Sequence, residues 1–325
     1  MRLRFFFAFF ANFPEHEQDL LLYYAIFLMC RKQGLFMRLD GHVHIMEDCG
    51  DPVPDFFRER CEMAGIDGGV VISLPPASFR GKKETRQDFE ARLDNLFLWS
   101  AAGELFFPFF WLDPLADNAP EQVAAAKGRG VKGFKVICDA FYPYDERALK
   151  IFRLIADVKL PILFHSGILW DGKASSIYNR PLGFEALIDI EGLKFSLAHI
   201  AWPWCDELIA VYGKFQNAYF RRPDISVEMF IDITPGTPAV YRNEVLTKLF
   251  SVGYDVENNV IFGSDSTVGK YNFAWTREWL ERDNGIYGKL DLTESVVNGI
   301  YSDNLLRFLG EKEGAAIKKS LRSGA

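Results

Sequence analysis

The sequence predicts an α/β protein: a (β/α)8 TIM barrel preceded by a short N-terminal extension. Three observations carry that prediction. Short, continuously apolar runs recur from about residue 35 to residue 265, as strands buried on both faces require. Nearly every run is followed by a stretch with helical spacing. Eight such units fit a barrel, a fold typically built from about 250 residues with insertions tolerated. A doubly wound open sheet is the alternative fold. It would carry a Gly-rich phosphate turn after the first strand, and none is present.

The elements follow in order. Leu35–Ile45 reads as the first strand, and Pro54–Ala64 as a helix with proline where a helix starts. Gly69–Ser73 is a short apolar strand, Lys83–Ala102 a helix and Leu105–Asp113 the third strand. Pro120–Lys127 leads to strand Val131–Ile137. Asp145–Val158 carries Ala148, Ile151, Phe152 and Ile155 on one helical face, and Leu160–Gly167 is the fifth strand. Helix Gly183–Ile190, strand Lys194–His199, helix Pro203–Phe215, strand Ile225–Asp232, helix Pro238–Ser251 and strand Val260–Asp265 complete the alternation. Beyond about residue 271 the chain reads as helices.

Composition narrows the function classes. The chain has 325 residues, 49% hydrophobic and 25% charged, which excludes a disordered or fibrous protein. With 37 Lys and Arg against 44 Asp and Glu, the net charge is −7, so the basic footprint of a nucleic-acid binder is missing. Cys30, Cys49, Cys61, Cys138 and Cys205 form an odd set without a CxxC pair. That argues for a reducing compartment and a cytoplasmic protein.

Residues 1–36 differ from the rest. Arg2 and Arg4 flank the start of a Phe-rich run, a polar stretch follows, and a second apolar run covers Leu20–Cys30. Neither run approaches the 18 or so apolar residues of a spanning helix, so no stable membrane insertion is expected. A small-residue cleavage site is missing. The segment is read as an extension that packs on the barrel, anchors weakly at a membrane surface, or lies upstream of the true start, with Met37 the alternative initiator. Residues 37–325 form the barrel domain.

The histidines are few and clustered by fold position. Of five, His42 and His44 fall on strand one, His165 on strand five and His199 on strand six, while Asp265 ends strand eight. Barrel chemistry sits on the C-terminal face of the strands. Residues two apart on a strand share a face, so His42 and His44 both enter the barrel mouth. With His165 and Asp265 they make an N3O set suited to one divalent metal ion, zinc first, with manganese, iron or cobalt as alternatives. The competing reading is of separate core histidines, each satisfied by a backbone hydrogen bond.

The motifs Asp40-Gly41-His42-Val43-His44, Leu163-Phe164-His165-Ser166-Gly167, Ala198-His199-Ile200-Ala201-Trp202-Pro203-Trp204 and Phe262-Gly263-Ser264-Asp265-Ser266 resemble those of the amidohydrolase superfamily. The branch they resemble contains the aminocarboxymuconate-semialdehyde decarboxylase-like enzymes. The stretch Tyr301–Gly310 resembles that branch's terminal helix, and the likeness spans about residues 37–310. The resemblance implies a metal site of His42, His44, His165 and Asp265, with His199 beside the activated water and a homodimeric assembly. In it, Asp265 accepts the proton of the nucleophilic water, and His199 orients that water or polarises the substrate.

Other residues near the predicted mouth have weaker claims. Lys135 ends strand four and pairs either with a substrate carboxylate or with Asp139 or Glu228. A carbamylated lysine bridging two metals, as in parts of the wider superfamily, ranks third. Trp170, Trp202 and Trp204 follow strands five and six. Trp202 is the aromatic chosen as a substrate contact, although loop packing explains all three. Arg80 and Arg180 fall in loops where they would favour an anionic substrate or simply lie at the surface. Glu228 and Asp232 share parity on strand seven. The expected activity is hydrolysis of an amide, ester or lactone in a small, carboxylate-bearing substrate. Non-oxidative decarboxylation of an unsaturated or aromatic acid is the alternative. A barrel that keeps metal only as structure has no need of His199.

Overall fold

The structure, a computed structural model, describes residues 37–46, 49–79, 88–222 and 224–311. The expected N-terminal extension, the Arg80 loop and the residues after 311 lie outside the described part. All described strands belong to one parallel sheet. The strands are β1 (Leu39–His44), β2 (Gly68–Ile72), β3 (Phe106–Trp111), β4 (Gly133–Val136), β5 (Ile162–Phe164), β6 (Lys194–Leu197), β7 (Glu228–Asp232), β8 (Val260–Ile261) and β9 (Ser266–Thr267). Each pairs with its neighbour in sequence from β1 to β8, and β9 pairs with β1. The Gly41 N–H donates to the Phe262 carbonyl and the Asp265 N–H to the His42 carbonyl. The ring therefore closes as the predicted α/β TIM barrel, with β8 and β9 together supplying the eighth stave.

The helices wrap this ring: α1 (Pro54–Ala64), α2 (Phe89–Ser100), α3 (Ala119–Arg129), α4 (Glu146–Asp157), α5 (Cys205–Arg221), α6 (Ala239–Ser251) and α7 (Phe273–Lys289), followed by the short α8 (Glu294–Asn298) and α9 (Asn304–Leu309). Local sequence sets their ends. Pro54 opens α1 and Gly65, at φ 79°, ends it with a left-handed cap. The Asp88 carboxylate accepts the Ala91 N–H at 2.8 Å to start α2. No helix among the described residues is long and apolar enough to cross a membrane.

Two apolar layers result from strand alternation. Val43, Val71, Phe110, Phe134, Phe164 and Ile231 face outward into the layer shared with the helices. Leu39, Val70, Phe109, Leu163, Phe230 and Ile261 face inward. Helix α9 plugs the N-terminal end of the barrel: Phe308 packs on Phe109 and Phe230 with ring centroids 6.3 and 5.0 Å away. Arg307 pairs there with Glu228, the first residue of β7. Filling this end leaves the C-terminal end for chemistry.

Three elements differ from the sequence reading. The expected helix Gly183–Ile190 is a 3-10 segment, Pro181–Asp189. Its i→i+3 bonds run from Gly183 N–H to Arg180 and from Ile190 N–H to Leu187, and a side chain at Gly183 would press on Pro143. Strand β6 stops at Leu197, so His199 lies in a turn beyond it. Strand eight is interrupted between Ile261 and Ser266, because the Asp40 carboxylate, not a neighbouring strand, takes the Ser264 N–H at 2.8 Å.

Candidate metal centre

The C-terminal ends of β1, β4, β7 and the β8–β9 break converge on His42. Its imidazole is fully buried. Nδ1 donates to Asp232 Oδ2 at 2.7 Å, which fixes the tautomer and leaves Nε2 as a bare lone pair. That lone pair faces His44 Nε2 at 3.0 Å and Asp265 Oδ1 at 3.9 Å. His44 Nε2 is itself 3.6 Å from the same carboxylate oxygen. One ligand atom each from His42, His44 and Asp265 lies within 4.8 Å of the others. Two imidazole nitrogens and a carboxylate oxygen converging on one point are a donor set that fits a divalent cation.

Lys135 joins this cluster. It is the third residue of β4, paired in register with inward-facing Trp111 and Leu163, and it is fully buried. Its Nζ donates to His42 Nε2 at 3.2 Å. It therefore contacts neither Asp139 nor Glu228, the structural partners considered from the sequence; Glu228 is held at the opposite end of the barrel by Arg307. Burial depresses the lysine pKa, opposed by Asp232 and Asp265.

The other two histidines lie beside the cluster. His165 is the first residue after β5, and its Nε2 donates to the Ile168 carbonyl at 3.2 Å. It is thus outside the three-residue group, although it was expected as a fourth ligand. His199 sits between the rings of His42 and His165, with centroids 5.2 and 5.0 Å away. Burial is the leading cause that keeps all three imidazoles uncharged: it places His42 and His165 well below the usual histidine value and His199 at about 4. Lys135 adds to the depression of each.

Backbone conformation delivers His199 and Asp265. His199, Ile200 and Ala201 are consecutive left-handed residues with φ of 59°, 43° and 53°, each a cost of roughly 1–2 kcal/mol. Complete burial of Ile200 and Ala201 offsets it. Gly236 makes room for the imidazole, since a Cβ there would lie 2.7 Å from His199 Cβ. Asp265 has φ 58° and its side chain keeps 39% of its surface open. Its pKa is raised by burial of the surrounding site, with Lys135 opposing.

Two carboxylates beneath the site were not assigned a role from sequence. Asp232 shares parity with the inward residues of β7, a signal too general to specify that it would hold His42. Thr234 donates both its N–H, at 2.6 Å, and its hydroxyl to Asp232 Oδ1. Asp40 accepts from the N–H groups of His42 and Ser264 and from the Tyr271 hydroxyl at 2.8 Å. It ties the end of β1, which carries His42, to the loop that carries Asp265. Burial lifts its pKa to about 6.

The mouth is aromatic on one side. Trp111 lies 5.6 Å from His44 and 4.7 Å from Phe79 by ring centroids. Trp202 stacks on Tyr241 at 6.2 Å, and Trp170 is 75% exposed. Arg180 lies over Trp204 and is paired with Glu207, so its charge is already engaged at the surface.

Solved structures similar to this chain are barrels of related kind. An uncharacterized TIM-barrel protein from Bordetella bronchiseptica aligns with TM-score 0.59 at 15% identity, covering 86% of this chain and 99% of that one. A zinc-bound amidohydrolase from Burkholderia multivorans aligns with TM-score 0.56 at 12% identity, covering 85% and 99%. A probable 2-pyrone-4,6-dicarboxylic acid hydrolase from Acinetobacter baumannii, with citric acid bound, aligns with TM-score 0.53 at 10% identity, covering 84% and 99%. At these identities the likeness shows the fold. No curated protein matches the sequence. Residues 40–310, which contain both the barrel and the histidine cluster, match the amidohydrolase family along their length, and the chain belongs to that family.

Proposed function

We propose that the protein is a metal-dependent hydrolase that cleaves an amide, ester or lactone bond in a small, carboxylate-bearing substrate. The observation that carries this reading is the convergence of His42 Nε2, His44 Nε2 and Asp265 Oδ1, with His42 set in the ligating tautomer by Asp232. His165 would join them as the fourth ligand by giving up its bond to the Ile168 carbonyl. These residues would hold one divalent ion, zinc by preference for N and O donors, which when bound would lower the pKa of water and polarise a carbonyl.

The chain's own groups do the rest. Asp265, with its raised pKa and open side chain, takes the proton of the attacking water. It then passes that proton to the departing nitrogen or oxygen as the carbonyl carbon gains its new bond and loses the old one. His199, neutral and beside both imidazoles, accepts a hydrogen bond and orients the water. Lys135 Nζ supplies a cation for a substrate carboxylate, and Trp202 with Tyr241 forms part of the rim. Metal-dependent decarboxylation uses the same ligands and is the second reading, favoured by Lys135, a buried cation at the site. Oligomerisation as a homodimer and work in a reducing, cytoplasmic setting belong to the same proposal.

Elemental analysis of protein purified without chelators tests the centre. About one ion per chain, lost in His42→Ala and reduced in His165→Ala, is expected. Absence of metal after supplementation overturns the mechanism. A panel of lactones, anilides and hydroxybenzoates with carbon dioxide monitored separates the reactions: hydrolysis without gas release removes the decarboxylase.

A further inference from the structure

We infer that the buried Arg242–Asp283 pair is a positioning device for the metal centre, acting through the end of β7 on Asp232 and His42. The inference rests on the metal-site reading above and concerns residues that contact none of its ligands.

Arg242 lies on the first turn of α6 and Asp283 in the middle of α7, and both are completely buried. The guanidinium grips the carboxylate with two bonds, Nε to Oδ1 at 2.8 Å and Nη2 to Oδ2 at 2.6 Å, the planar fork that arginine alone provides. The third donor leaves the pair: Nη1 donates to the Ile233 carbonyl at 2.6 Å.

Ile233 is the residue between Asp232 and Thr234. The paired residues of β7 and β8 end at Asp232 and Ile261, and the Ile233 N–H makes the last ladder bond, to the Ile261 carbonyl. The Ile233 carbonyl lies where β8 turns away toward Asp265. A carbonyl buried there needs a donor, and a charged side chain from the helical layer provides it. One peptide later, the Thr234 N–H and hydroxyl hold Asp232 Oδ1, which leaves Oδ2 directed at His42 Nδ1. A rigid path therefore runs from α7 through Arg242 and the 232–234 backbone to the imidazole whose lone pair faces the other ligands.

A purely architectural ion pair between α6 and α7 would have no use for the third bond. Its replacement by apolar side chains of similar volume would also leave the barrel interior undisturbed, because buried pairs are often exchanged for hydrophobic residues without loss of stability. That difference supplies the test. Arg242→Met with Asp283→Leu, and separately Arg242→Lys, which keeps a cation but not the fork, are compared with the unaltered full-length protein. Zinc and cobalt(II) affinities are measured by competition with a chromophoric chelator at a temperature where circular dichroism shows each folded. The same changes are repeated in an Asp232→Asn background.

The expected result is about a tenfold weaker affinity for both metals in either variant, near the lower end of losses seen when the partners of metal ligands are altered. In the Asp232→Asn background the further loss should vanish, since residues acting through one another are not additive. Unchanged affinity in folded variants, or a full additional loss in that background, overturns the inference while leaving the metal site intact. An unaltered protein that takes up neither metal refutes the metal site, and this inference with it. Should the double replacement not fold, Arg242→Lys yields the same reading.

Discussion

Asp232→Asn is the most informative single substitution, because the structure predicts a large loss in metal binding and little change in stability. Asp232 holds two partners with two oxygens: Oδ1 accepts from the Thr234 N–H and hydroxyl, and Oδ2 accepts from His42 Nδ1. An asparagine of the same shape must keep its oxygen toward Thr234, whose N–H can only donate. Its NH2 then faces His42 Nδ1, which must become the acceptor, so the ring proton moves to Nε2 and occupies the lone pair that would hold metal. Losses of 10–100-fold for such partners correspond to about 1.4–2.8 kcal/mol. Stability moves differently. Burial raises the Asp232 pKa, so its charge is costly in the metal-free fold, and the neutral amide relieves that cost while forfeiting a charge-assisted bond. The net change in the chelator-treated protein should stay within about 1 kcal/mol. Competitive zinc titration and thermal melts in excess chelator measure the two quantities. A folded variant with unaltered zinc affinity would refute the tautomer argument, and a large destabilisation without chelated metal would make Asp232 a structural residue.

His199→Gln should retain one ion per chain while lowering kcat by about 100-fold, within the usual range for a proton-handling group; metal loss in that variant would make it a ligand. Lys135→Met should keep a single ion, bind it several-fold more tightly because a cation no longer competes for His42 Nε2, and raise KM for carboxylate-bearing substrates. Loss of a second ion in that variant would instead reveal a bridging carbamate. In excess chelator, acid should destabilise the fold through His199: it has a folded value of about 4 against 6.5, so its contribution is complete above about pH 6.5. It is lost as pH falls toward 4, by about 3 kcal/mol for this group, while protonation of Asp40 and Asp265, whose values are raised, opposes the loss. A His199→Gln variant whose stability by urea titration changes across that window as the unaltered protein's does would contradict this. Phe308→Ala should cost about 3–5 kcal/mol by opening the plugged end, with metal content per folded chain unchanged.

The barrel was legible because its signal is repeated. Continuous apolar strands such as Phe106–Trp111 and helices such as Pro54–Ala64 announce themselves by composition, and eight copies in order leave few topologies open. The pairing of His42 with His44 was legible for the same reason: strand parity is a local rule, and the structure keeps both rings on the inner face. Lys135 followed parity too, but its partner did not: sequence proximity favours Asp139, and His42 and Glu228 are each 93 positions away. Only the closed ring decides which of them it meets. The role of Asp232 was hidden in this way as well, its partner being 190 positions distant.

His199 and Asp265 were hidden for a different reason. Each was assigned to a strand end, where parity would aim its side chain, yet each lies in a turn at positive φ. Nothing in Ala198–Ala201 favours such a turn: Ile200 is β-branched and disfavours it strongly. The turn exists because surrounding packing outweighs local preference. Ile200 is wholly buried in the outer layer, and Gly167 and Gly236 leave no Cβ where one would strike the Trp202 carbonyl or His199. Asp265 likewise depends on Asp40 capturing the Ser264 N–H and on Gly263, where a Cβ would fall 2.4 Å from Thr234 Oγ1 and 2.8 Å from His42 Cβ. The two residues assigned the proton chemistry are therefore presented by strained backbone, while the two imidazoles that anchor the centre sit on strand β1, whose pairing with β2 shifts register between Asp40 and Val43. That division places binding on the rigid ring and reactivity on segments whose geometry the rest of the fold must hold in place.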